Sequence, residues 1–101
     1  MTTYLLIYSG KMGDREYMKQ LLNSMPAINS WRYDMPNCFY LQSEYSAQEL
    51  VDLLVDKLPA DHSKRFFISE IGNNRQGYLS KDTWNFIKMK NVAEQMEPDF
   101  A

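Results

Sequence analysis

The run from Thr3 to Ser9 is apolar on both of its alternating sides, and this constrains the fold more than any other feature of the chain. In an extended segment successive side chains point to opposite faces, so Tyr4, Leu6 and Tyr8 share one side while Leu5 and Ile7 share the other. Ser9-Gly10 ends the run. Such a strand is stable only where something covers each of its faces.

The period then changes. Between Asp14 and Met25 the residues Tyr17, Leu21 and Met25 fall on one helical stripe with Met18 and Leu22 beside it, and Pro26 closes the segment. Two β-rich runs, Trp31 to Tyr33 and Cys38 to Leu41, flank the turn-forming residues Asp34-Met35-Pro36-Asn37 and predict a hairpin. Ser46-Ala47-Gln48-Glu49 has the form of a capping box, and Leu50, Val51, Leu54, Val55 and Leu58 follow at three- and four-residue intervals up to Pro59. Arg65 to Ile71 reads as a last strand, closed by Gly72-Asn73-Asn74. A short edge strand is expected around Gln76 to Leu79. A terminal helix follows, with Ser80 as its cap and Leu79 stapled on Trp84.

The order βαββαβ predicts an α+β fold, a ferredoxin-like two-layer sandwich with a short C-terminal edge strand and helix. One domain over 1–90 is expected, followed by a flexible acidic tail over 91–101. With 45% apolar and 24% charged residues the 101-residue chain has the composition of a globular domain, and its formal charge of -2 excludes a broad basic field for duplex phosphates. The apolar run at Tyr4 to Tyr8 is too short for a signal-peptide core, and no stretch is long enough to span a bilayer. Cys38 is the single cysteine and has no second thiol for a disulfide or a zinc site, which fits a reducing, cytoplasmic setting. It is read as a small buried hydrophobe.

In a two-layer sandwich both helices cover one face of the sheet, so an apolar second face needs another cover. Tyr4, Leu6 and Tyr8 with Phe66 and Ile68 are assigned to that second face, as a surface for a dimer or a ligand. Homodimerisation is the favoured use, ahead of a platform for stacked bases, which normally comes with a basic groove. The terminal segment with Trp84 and Ile87 is the internal alternative. Ser9-Gly10-Lys11-Met12-Gly13 ends a strand and opens a helix, so Ser9, Gly10, Lys11 and Gly13 form a candidate anion-binding loop, although the full phosphate-loop motif is absent. Lys11, Arg15, Lys19 and Arg32 read as solvated charges, and Met12 and Met35, in expected loops, as exposed methionines. His62 has no neighbouring nucleophile motif. No catalytic residue, metal ligand or cofactor is assigned.

The words Thr3-Tyr4-Leu5-Leu6-Ile7-Tyr8, Trp31-Arg32-Tyr33, Ser46-Ala47-Gln48-Glu49-Leu50, Ile68-Ser69-Glu70-Ile71-Gly72 and Gly77-Tyr78-Leu79, with Trp84 after them, resemble the SinR-like small bacterial and phage proteins. That group is related in fold to CRISPR-associated protein two and virulence-associated protein D. The resemblance covers roughly residues 3 to 88 and implies a ferredoxin-like fold paired through its sheets. Its members include metal-dependent nucleases and structural partners of an integrase. In the nucleases an aspartate follows the tyrosine that ends the first strand, where two copies jointly bind a divalent cation. Here that position is Ser9, whose neutral hydroxyl is a poor ligand for a hard cation. The resemblance with this departure implies a non-catalytic homodimer that binds a protein or nucleic-acid partner in a mobile-element or defence setting. The alternatives are a divalent-metal-dependent ribonuclease or deoxyribonuclease using Asp14, Glu16, Asp34, Glu44 or Glu70, and a single-stranded RNA-binding module that stacks bases on Tyr4, Tyr8 or Phe66.

Overall fold

The computed structural model describes residues 1–88; the expected tail at 91–101 lies outside the described residues. Strand β1 (Thr2–Tyr8) leads through a single 3-10 turn (Gly10–Met12) into helix α1 (Arg15–Asn23). Strands β2 (Ile28–Tyr33) and β3 (Cys38–Ser43) form the hairpin. Helix α2 (Ala47–Lys57), strand β4 (Phe66–Glu70) and helix α3 (Lys81–Lys88) complete the order. The strands make one antiparallel sheet in the order β2-β3-β1-β4, and β1 and β3 are the central pair.

Local chemistry sets the boundaries. Asp14 caps α1 by accepting from the Tyr17 amide at 2.9 Å. At α2 both halves of the capping box form: Ser46 Oγ accepts from the Glu49 amide at 3.1 Å and Glu49 accepts from the Ser46 amide at 2.9 Å. Asn37 turns the hairpin at φ 58°, a left-handed conformation that asparagine tolerates better than most residues. Gly13 joins the 3-10 turn to α1 at φ 149°, and a Cβ there would lie 2.5 Å from the Tyr17 ring. Both the conformation and the close approach require glycine.

Helices α1 and α2 cover one sheet face. Tyr4, Leu6 and Tyr8 of β1 and Phe39 and Leu41 of β3 are buried there with Met18, Leu21 and Leu22 of α1 and Leu50 and Leu54 of α2. Phe39 is the centre of an aromatic cluster, with ring centroids of Trp31, Tyr33 and Tyr8 at 5.4, 5.8 and 6.0 Å. This placement corrects the face assignment made from the sequence. Tyr4, Leu6, Tyr8, Phe66 and Ile68 do share a face, but it is the helix-covered core, not a free one. Alternation tells which residues point the same way and is silent on which way the helices lie; with both sides of β1 apolar, nothing local broke the tie.

The expected edge strand at Gln76 to Leu79 does not form. The chain leaves β4 at one edge of the sheet and is drawn across to the other, where the Ser80 amide donates to Asp34 Oδ2 at 3.0 Å. A segment that crosses a face cannot also run along an edge. The terminal helix forms as expected, with Ser80 Oγ accepting from the Thr83 amide at 3.2 Å, and Leu79 and Trp84 both pack against the cluster of Cys38, Tyr40 and Ile87.

Candidate interaction face

The second sheet face carries Ser30 and Arg32 of β2, Cys38, Tyr40 and Gln42 of β3, Leu5 and Ile7 of β1, and Phe67 and Ser69 of β4. It divides into a covered half and an open half. Over β2 and β3, α3 is held by a polar latch. Arg32 Nε donates to Thr83 Oγ1 at 2.8 Å, Gln42 Nε2 to the Phe86 carbonyl at 2.8 Å, and Ser30 Oγ to Gln42 Oε1 at 2.7 Å. Cys38 and Tyr40 of the sheet and Ile87 of the helix are buried between them, with Leu5, Ile71, Leu79, Trp84 and Phe86 packed round them. The terminal segment thus covers half of the face internally.

The latch and its filling shift titrating groups. The amide and hydroxyl of Ser80 and the Thr83 hydroxyl beside Asp34 hold its carboxyl below the ordinary carboxylate range. Desolvation, reinforced by Cys38 and Asp34, pushes the Tyr40 phenol up to about 12, and burial likewise raises the Cys38 thiol. Cys38 is buried, as expected.

The open half belongs to β1 and β4. Ile7 is 46% and Phe67 61% exposed, paired directly across the two strands, and Met35 in the hairpin turn is also exposed. Ile7 and Met35 continue into an apolar groove of about 430 Å³ that runs by Leu5, Cys38 and Ile71 to Leu79 and Trp84. Large apolar side chains gathered on one strip cost solvation free energy unless a partner covers them.

The remaining candidates have structural duties. The anion loop is closed to anions. Ser9 Oγ accepts from the Lys11 amide, the Ser9 and Gly10 carbonyls accept from the Met12 and Gly13 amides, and the Asp14 carboxylate occupies the start of α1. A glycine-bearing strand-to-helix junction could not reveal this; Asp14 placed directly after it was the legible warning. Ser9 directly follows Tyr8, the last residue of β1. Glu16 pairs with Lys19 at 3.3 Å and Glu44 with the N-terminal ammonium at 3.6 Å. Among the described residues no three His, Cys, Asp or Glu side chains gather as a metal-binding group. His62 stacks on Tyr17 at 5.4 Å and its Nε2 bonds the Met12 carbonyl, tying the 3-10 turn to the loop after α2. Met12 is fully buried, against expectation, because that turn folds inward on the core. Arg15 lies over the Tyr33 ring at 4.1 Å. Tyr4 and Tyr8 are 5% and 3% exposed, so neither ring is presented to a base.

Sequence reasoning missed the latch. Its signal was Ser30, Arg32 and Gln42, polar residues all falling on the same face of the hairpin. Compared with protein-family models, curated proteins and solved structures, the chain matches none of them. No described helix is long and apolar enough to cross a membrane.

Proposed function

We propose that this chain is a non-catalytic interaction protein of ferredoxin-like fold, which self-associates as a homodimer through the open half of its second sheet face. The sheet order β2-β3-β1-β4, with α1 and α2 on one face, is the arrangement such a fold has and supports that part of the reading. The observation that carries the functional part is the apolar strip of Ile7, Phe67 and Met35, left uncovered beside a terminal helix that covers the other half of the same face. A helix latched by several polar contacts holds the strip's border in place, so the surface is formed before a partner arrives.

Dimerisation through the strip leaves the outer faces of α1 and α2 for a further partner, protein or nucleic acid, in the mobile-element or defence setting the sequence resemblance implies. Ile7→Asp tests the surface. Its side chain is half out of the core, so the fold should survive by circular dichroism while self-association measured by light scattering is lost; unaltered association would remove the strip from the account. Incubation of the wild type with labelled RNA and DNA in magnesium or manganese tests the non-catalytic part. Degradation that EDTA abolishes would overturn it.

A further inference from the structure

Strand β4 is an unpaired edge among the described residues, and the direction of its backbone groups can be derived. The Ser9 amide donates to the Arg65 carbonyl and the Ile71 amide to the Thr3 carbonyl, both at 2.9 Å. In an antiparallel ladder hydrogen-bonded pairs alternate with non-bonded ones. Arg65, Phe67, Ser69 and Ile71 therefore bond inward to β1, while Phe66, Ile68 and Glu70 turn their N–H and C=O groups outward. A strand with Phe66-Phe67-Ile68 in it and no proline or lysine within it is an unprotected template for another strand. The opposite edge is different: β2 is interrupted by an irregularity between Ile28 and Ser30, and its Arg32 is tied to α3.

The charge along β4 is polar end to end. Lys64 and Arg65 precede it and Glu70 closes it. A second β4 laid parallel would set like charges together; laid antiparallel, it sets the basic end of each strand against the acidic end of the other. Lys64 Nζ is held on the carbonyls of Pro59, Ala60 and His62 at 3.3 Å, which fixes an exposed ammonium at that end.

We infer that two copies of the chain join antiparallel along β4 with the two-fold axis through Phe67, making one continuous eight-stranded sheet. In this register Phe66 and Ile68 of opposite copies exchange their outward N–H···O=C bonds, and Lys64 faces Glu70 of the other copy. Phe67 meets its own symmetry mate in a non-hydrogen-bonded pair, where Cα atoms approach to about 4.5 Å and side chains touch most closely. The most exposed side chain of the strip is thereby buried, and the two open half-faces run on into each other. A shift of two residues, with Ile68 on the axis, would instead set Glu70 against Phe66 and separate the two Phe67 rings.

The inference rests on the homodimer reading, and the experiment separates the two. Phe67→Cys, compared with Ser69→Cys and with the wild type, whose Cys38 is buried, is exposed to a mild oxidant and followed on non-reducing gels, with light scattering alongside. The expected result is disulfide-linked dimer from Phe67→Cys, formed at least tenfold faster than from Ser69→Cys, and none from the wild type. Phe67→Asp, which brings two carboxylates together on the axis, should weaken dimerisation at least a hundredfold while circular dichroism is unchanged. Dimeric protein without the Phe67→Cys cross-link, or with a faster one from Ser69→Cys, would overturn the register and leave the homodimer standing. Monomer at every concentration would overturn both.

Discussion

Tyr8 shows how a residue can be buried for its ring at the expense of its hydroxyl. Its side chain is packed against the core while its OH has no hydrogen-bond partner, and an unpaired buried polar group costs free energy. Tyr8→Phe is therefore expected to leave thermal stability unchanged or raise it, by up to about 1 kcal/mol on the scale of such groups, as read by denaturant unfolding. Tyr40 makes the converse case at high pH. Its folded-state phenol is pushed up to about 12 from an ordinary 10.0, so the folded state favours the neutral form. The stability this group contributes is complete below pH 10 and falls as pH rises through the interval up to about 12. Urea midpoints measured across that interval should drop together with the appearance of tyrosinate absorbance, and a midpoint flat through it would contradict the buried position of Tyr40. Residues of this kind were partly legible. The burial of Cys38 followed from its chemistry, but the orientation of Tyr4, Leu6 and Tyr8 did not, because Leu5 and Ile7 made the opposite side of β1 equally apolar.

The elements with strong local signals are the ones the sequence announced: α2 from its capping box and broad apolar stripe, α1 from Asp14 and its spacing, the hairpin from Asp34 to Asn37. Ser46→Ala should cost about 1 kcal/mol, the usual value of an N-cap, in a denaturation measurement. What failed was the piece between β4 and α3, where no hydrophobic period exists and where the path is decided by Asp34, a residue more than forty positions away in sequence. Long-range polar contacts leave no periodic trace. The same is true of the latch on α3, which depends on Arg32 and Gln42 meeting Thr83 and Phe86. Ile87 of that helix is 2% exposed, and Ile87→Ala should cost about 2–5 kcal/mol and increase binding of an apolar dye as α3 loosens from Tyr40 and Cys38. A loss no larger than that of an exposed substitution would show that α3 is not part of the folded unit.

For the whole molecule, the double apolarity of β1 asks for a cover on each face, and the covers on the two faces are unequal. Helices α1 and α2 meet the demand on one side. On the other, α3 (Lys81–Lys88) lies over the β2 and β3 half, and among the described residues none covers Ile7 and Phe67. A second copy joined along β4 buries Phe67 against its own symmetry mate, and association then depends on concentration. Sedimentation equilibrium of the wild type over a wide concentration range tests that claim most directly. The account predicts a species of twice the 11.9 kDa chain mass that dissociates on dilution; a single monomeric mass at every concentration would contradict it.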